Sequence, residues 1–404
     1  TEYILEGNVQ MGMPSFKAEL SAEEARALVI YMQEIAAQTS QEREPPPRAS
    51  AEIVEADGVR FRLETVVEGL DIPWAVAFLP TGGMLITERQ GSLRQFVEGE
   101  LLPPVEGMPE IWARGQGGLM EVALHPNYAE NGLVYLAYSE PSESAGNEGM
   151  TAIARGRIVD NRWTDHEMIF EVPERFHNRS GVHFGTRLVF QDGYLFFPIG
   201  DRGAQQQAQD LSRPNGKIHR IHDDGRIPED NPFVDQPDAF PSIWTYGNRN
   251  PQGLDLDPAT GLLWSTEHGP RGGDELNLIE RGNNYGWPVI TYGMNYSGRP
   301  ITDQTHAPGM EQPKLHWTPS IAVCGMDFYE GEAIPEWTGQ LFTGGLASEQ
   351  LHRIVIDGRE VKSDTIVLKG AGRVRDVQSG LDGHLYLVLN SPDSIVRLVP
   401  ADSE

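Results

Sequence analysis

A chain of 404 residues has room for two or three domains or for one large repetitive fold, at roughly 150 residues per domain. Its 59 acidic residues outnumber 32 basic ones, and the net charge of -27 argues against nucleic acid and anionic membrane surfaces as partners. The 44 glycines and 29 prolines suit a turn-rich β protein, and a lone cysteine, Cys324, excludes an intrachain disulfide, a cysteine-rich zinc site and a covalently attached c-type haem.

Residues 21–36 carry one amphipathic helix, with a capping box at Ser21 and Glu24 and apolar residues at Ala25, Leu28, Val29, Met32 and Ile35. The following QEREPPPRASA run reads as a stiff, solvated linker because its prolines favour an extended chain. The expected organisation is an amino-terminal segment over 1–40, a linker over 41–57 and a main domain over 58–404. From about Val59 the pattern changes to short strands punctuated by Gly, Asp-Gly and Pro. An apolar strand next to a turn recurs at Met84–Ile86, Leu133–Tyr135, Tyr194–Phe196, Leu262–Trp264, Gln340–Phe342 and His384–Tyr386. The spacing averages 60 residues from Leu85 to Leu385, which fits six four-stranded blades: an all-β, six-bladed propeller with a short helical segment before it.

Familiar catalytic motifs are missing. Gly115, Gly117 and Gly118 lead into an apolar strand (LMEVAL) rather than a helix, so they form no dinucleotide cradle. His219 and His222 lie three apart in a strand-like run, which sends their rings to opposite faces and suits structural roles. What remains is polar residues in glycine-rich turns at equivalent places along the repeat: Gln116, His183, Arg249 with Asn250, and Arg373 with Arg375. Taken singly, each also reads as an ordinary surface group, a backbone cap or a half-buried histidine. In a closed propeller such turns converge at one end of the channel, and a histidine among three arginines calls for an anionic ligand.

Long motifs in order carry a resemblance: GLDIPWAVAFLP, GQGGLMEVALHP, HFGTRLVF, DGYLFFPIGD, NGKIHRI, GRIPEDNPF, IWTYGNRNPQGLDLDP and EHGPRGGDELNLIERGNNYGWP. From about Leu63 to Leu398 the chain resembles the soluble quinoprotein aldose sugar dehydrogenases that use pyrroloquinoline quinone (PQQ), the glucose/sorbosone dehydrogenase family. The resemblance implies that His183, opening a HFGTRLVF strand, is the general base, and that Arg249 stabilises charge developing on the quinone. It further implies that Gln116, Arg249, Asn250, Arg373 and Arg375 contact PQQ, and that the carbonyls of Gly269 and Pro270 hold an active-site calcium. Glu275 and the carbonyl of Tyr285 match a second calcium site. The expected reaction is oxidation of an aldose at its anomeric carbon to a lactone. One position departs from the family pattern: Ala347, in GGLASEQ, stands where relatives place a cation against the cofactor.

The GMPSFKAELSAEEARALVIYM run resembles the carboxy-terminal end of a class I cytochrome c, with Met13 at the axial methionine position. This implies either a piece of a cytochrome–dehydrogenase fusion or a vestigial docking segment, while an ordinary helix lying on the propeller stays open. Partners implied are an aldose and an electron acceptor such as a cytochrome c, in a periplasmic or secreted setting. No apolar run approaches the eighteen or so residues that span a bilayer. Two other functions share the fold: a non-catalytic binding propeller, like the hedgehog-interacting proteins, and a calcium-dependent lactonase. The first has no need of His183; the second needs carboxylate and amide ligands at positions that here are mostly cationic.

Overall fold

A short strand flanked by Gly and Asp turns cannot cover its own apolar faces, so such strands stack as sheets against sheets. The computed structural model describes residues 53–401 and places them in six antiparallel sheets. The helix expected over 21–36, Met13, the 1–40 segment and most of the 41–57 stretch lie outside the described residues.

Blades 1 to 5 each use four strands in chain order from the channel outward. The inner strands are Pro73–Phe78, Leu119–Leu124, Val189–Gln191, Pro251–Leu256, Val323–Phe328 and, in blade 6, Arg373–Ser379. Blade 6 is closed by the other end of the chain: Val59–Val67 pairs with Ser394–Pro400, Phe61 opposite Pro400, and Val54–Ala56 adds a fifth strand. The six apolar runs fall on the second strands, such as Met84–Glu88, Leu263–Glu267 and Leu385–Asn390. These three strands are buried at every residue because neighbouring blades cover both faces and sister strands cover both edges.

The core therefore lies between blades. One apolar cluster joins blades 5 and 6 through Phe61, Trp337, Phe342 and Leu387, and another joins blades 2 and 3 through Tyr135, Ile153, Leu195 and Phe197. Antiparallel alternation sends the starts of the inner strands and the turns between second and third strands to the same end of the channel. Just inside that end, Arg187 crosses the axis. Its guanidinium pairs with Glu121 (2.7 Å) and Asp376 (3.0 Å) and donates to the carbonyls of Gln252 (2.8 Å) and Arg375 (3.2 Å). A buried arginine is tolerated here because carboxylates and carbonyls replace its water.

Candidate active site

His183 does not open a strand: residues 182–188 are irregular and the inner strand of blade 3 is only Val189–Gln191. His183 and Thr186 hold positive φ (55° and 81°), a conformation that costs a non-glycine residue of order 1–3 kcal/mol and persists only where surroundings enforce it. The enforcement is visible. The His183 N–H donates to Gln116 Oε1 (2.8 Å), and the Gly185 N–H donates to Asn250 Oδ1 (3.2 Å). Arg202 lies on the Phe184 ring at 3.4 Å and donates to the carbonyls of Val182 and Ser180. Gly115 (φ 61°) lets the Gln116 turn approach, since a Cβ there would run into the Gly181 carbonyl.

The His183 ring is oriented by Asp201, which follows the second strand of the same blade. Nδ1 lies 2.6 Å from Asp201 Oδ1, an oxygen that also accepts the Gly203 N–H at 2.7 Å; Oδ2 accepts the Trp287 indole N–H at 2.8 Å. Burial alone would raise the Asp201 pKa, but its hydrogen bond and charge contact with His183, together with Arg249, hold it below the ordinary value. An ionised carboxylate only accepts, so Nδ1 carries the proton and the lone pair is at Nε2. Burial pushes His183 below 6.5, helped by Arg249 and Arg202 and opposed by Asp201. The ring is neutral near pH 7, with its side chain 14% exposed.

Arg249 ties this pair to blade 4. Its N–H donates to Glu267 Oε2 (2.6 Å), its carbonyl accepts the Asp201 N–H (2.7 Å), and its guanidinium lies 5.4 Å from the Trp287 ring centre. Nη1 donates to the carbonyls of His268 (2.8 Å) and Gly269 (2.7 Å), while Nε is buried without a partner. The Asn250 oxygen is committed to Gly185 and Gln252, which leaves the amide N–H for a ligand. Across the channel Arg375 lies 3.9 Å from the Trp74 ring centre and donates to Cys324 Sγ (3.4 Å) and Asn390 Oδ1 (3.3 Å). Burial lowers its pKa, and Arg187 and Arg373 lower it further. Arg373 begins the same strand, half-buried. Among the described residues Arg249, Arg373 and Arg375 form no ion pair with a carboxylate. His268 is held neutral by burial and by the charges of Arg249 and Arg375 around it, and its Nε2 has no partner.

The two expected cation sites differ. The Gly269 carbonyl already accepts from Arg249, so a cation at Gly269 and Pro270 would share that oxygen with a like charge unless an anionic ligand sat between them. Glu275 fits a cation better. It is the cross-strand partner of Glu267; burial and the Glu267 charge push Glu275 up to about 8, and burial pushes Glu267 up to about 7. Asn248 Oδ1 and Asn277 Oδ1 beside them are buried without partners. Two carboxylates and two orphaned amide oxygens are the hard donors that calcium takes. The Tyr285 hydroxyl is spent on the Leu278 carbonyl (2.6 Å) and the Glu280 N–H (2.9 Å), so the tyrosine could offer only its carbonyl. Among the described residues no three His, Cys, Asp or Glu form a metal group, so amides and carbonyls would complete the set. Ala347 is exposed in the turn after Leu341–Gly345; beside it Ser348 Oγ is buried without a partner.

Direct hydrogen bonds thus join Gln116 to His183 and Arg249 to Gly269; Asp201 connects His183 to Arg249, and Gly185 connects the His183 turn to Asn250. The charge of Arg375 reaches His268, and that of Arg373 reaches Arg375. Asp201, Trp287 and His268 were not singled out from sequence. The signal for Asp201 was present, as an acid ending the apolar PIGD strand.

The glucose/sorbosone dehydrogenase family model matches residues 70–397. The aldose sugar dehydrogenase YliI of Escherichia coli is 42% identical over 84% of this chain and 92% of its own length. The crystal structure of the E. coli soluble aldose sugar dehydrogenase in its apo form superposes with a TM-score of 0.80 at 41% identity, covering 84% of this chain and 99% of that one. A PQQ-bound aldose sugar dehydrogenase from Streptomyces coelicolor gives 0.69 at 26% identity, covering 87% and 99%. The chain belongs to the glucose/sorbosone dehydrogenase family.

Proposed function

We propose that this protein oxidises aldoses at the anomeric carbon to lactones, with PQQ as hydride acceptor, calcium as a bound cation and His183 as general base. One observation carries the reading: a neutral imidazole, its lone pair fixed at Nε2 by Asp201, shares a channel end with Arg249, Arg373 and Arg375, which lack carboxylate partners among the described residues. Such a cationic pocket costs desolvation energy unless an anion fills it, and PQQ is a small polycarboxylate. Gln116, Arg249, Asn250, Arg373 and Arg375 would hold it, and the Gly269 and Pro270 carbonyls would hold calcium beside it. Glu267, Glu275, Asn248, Asn277 and the Tyr285 carbonyl would hold a second calcium. When bound there, PQQ would supply the acceptor for the hydride of the anomeric C–H.

The protein's part is position and proton transfer. His183 Nε2 accepts the anomeric hydroxyl proton as the C–H bond breaks, and Asp201 stabilises the resulting imidazolium without moving. Arg249 presents fixed positive charge where negative charge grows, with no reorganisation needed during the step. Trp287 links the two by binding Asp201 and lying under Arg249. The E. coli and S. coelicolor relatives support the same sugar chemistry. A periplasmic or secreted location and a cytochrome c as electron acceptor remain part of the proposal, as does the division into a 1–40 segment, a 41–57 linker and a 58–404 catalytic domain. In the test, purified protein is mixed with PQQ and Ca²⁺ and a panel of aldoses is assayed with an artificial acceptor; saturable turnover is expected. Failure of every aldose to reduce the acceptor with PQQ bound would leave a binding propeller instead.

A further inference from the structure

Lys217 begins the third strand of blade 3 and is wholly buried. Its ammonium has no carboxylate within ion-pair distance among the described residues. Three backbone carbonyls surround it instead: Gln207 at 2.8 Å, Ala208 at 3.0 Å and Asn215 at 2.6 Å. Three N–H donors meet three carbonyl oxygens, so the ion is fully satisfied although dry. All three belong to the 17-residue segment between strands Tyr194–Ile199 and Lys217–His222, in which Asp201 and Arg202 follow Gly200 at the start. The same segment is tied to the site at its far side. Gln209 Nε2 donates to the Trp287 carbonyl (2.8 Å) and exchanges hydrogen bonds with Asn284, and Trp287 in turn donates to Asp201. The Ala208 carbonyl also accepts the Gly247 N–H (2.9 Å), two residues before Arg249.

We infer that Lys217 is a positioning residue for the His183–Asp201 pair: an internal cation that folds the Asp201–Gly216 segment around itself and thereby fixes Asp201 and Trp287. The inference rests on the reading of His183 as base. A neutral replacement removes the donor that these three carbonyls share and leaves the buried Asn215 carbonyl without it, while Gln207 and Ala208 keep only the N–H groups of Asp210 and Gly247; the segment then loosens at Gln207–Gln209 and the Trp287 clamp on Asp201 slackens. The strands that carry Lys217 keep their backbone pairing with Ile199 and Tyr246. Nothing else in the described structure gives those carbonyls a cation.

The test follows the His183 Nδ1 proton by NMR in the purified protein without cofactor, where a 2.6 Å bond to a carboxylate gives a strongly downfield resonance, assigned by its loss in His183→Gln. In Lys217→Met, well below the melting temperature, the resonance should broaden or move upfield. In the loaded enzyme kcat should fall about 10–100-fold with KM changed less than about threefold, a loss confined to the chemical step. Gln209→Ala, which cuts the link to Trp287 and leaves the ammonium in place, should give a smaller change of the same kind and decides the matter if Lys217→Met does not fold. An unmoved resonance and unchanged kcat in a folded Lys217→Met, or in Gln209→Ala where only that variant folds, would overturn the inference. The resonance reads the dyad whether or not aldoses are substrates, so failure of the proposed reaction is a separate outcome.

Discussion

Asp201→Asn is the sharpest perturbation of the site, because the carboxylate accepts three hydrogen bonds and an amide cannot. Oδ1 takes His183 Nδ1 (2.6 Å) and the Gly203 N–H (2.7 Å), and Oδ2 takes the Trp287 indole (2.8 Å). If the amide oxygen stays towards His183, the new NH₂ faces the Trp287 N–H and one buried donor is orphaned, a loss of about 1–3 kcal/mol. If it flips, the NH₂ faces Nδ1 and Gly203, and the imidazole must move its proton to Nε2, the atom that should accept the sugar proton. Either outcome removes the counter-charge for the imidazolium. Turnover should fall by about 10²–10⁴-fold, with the melting point lowered and PQQ affinity within a few fold of wild type. Dye-linked kinetics, calorimetry and a melt on one preparation read all three. Native turnover from a folded Asp201→Asn protein would refute the assignment of the base and its orienting acid together.

Replacing the base directly, His183→Ala should lower turnover by about 10²–10⁴-fold at nearly unchanged PQQ affinity; an early melt with normal turnover per folded molecule would remove His183 from the mechanism. Because burial, Arg249 and Arg202 depress His183, its neutral form dominates above the midpoint, so wild-type kcat/KM should be flat near pH 7 and fall only below about 6.5. Calcium should stabilise the protein more at pH 8 than at pH 6. Without a cation, Glu267 and Glu275 bind protons in the fold that the unfolded chain releases above 4.5. That stability fades as pH rises through about 7 and about 8, at about 1.4 kcal/mol per pH unit per proton. Equal calcium-induced melting shifts at both pH values would count against this site. Ala347→Lys should tighten PQQ binding by calorimetry, but only about two- to tenfold because the position is exposed; unchanged affinity would place the family's missing cation elsewhere.

The blade count was legible because the second strands are covered on both faces and each opens with a short apolar run, as with Leu263 and Trp264 in the strand Leu263–Glu267. The convergence of Gln116, His183, Arg249 and Arg375 followed from their equivalent places in that repeat. Local order in the His183 run was not legible. HFGTRLVF has β-forming residues at both ends, yet tertiary demands on Arg187 and the His183 backbone break the strand. Asp201 and Trp287 escaped notice because they lie 86 residues apart and meet only through folding. Lys217 read as one more polar letter in NGKIHRI, since nothing local marks a lysine whose partners are backbone carbonyls.

The pairing of Val59–Val67 with Ser394–Pro400 bears on how the molecule comes into being. Glu64 meets Arg397 across 333 residues, so a strand near the start of the described residues waits for the last of the described strands. Until then blade 6 lacks its outer strands, and the strand bearing Arg373 and Arg375 has neighbours but no completed sheet behind it. Five finished blades on the ribosome would be an open arc with two apolar flanks, which invites holdase chaperones and ring-to-ring mispairing. Cofactor capture then becomes a late event, after the strand Ser394–Pro400 has emerged. Moving the chain ends into the exposed turn at Gly358, between two strands of blade 5, would let blade 6 finish early and shift that delay to a sheet that bears none of the pocket's arginines.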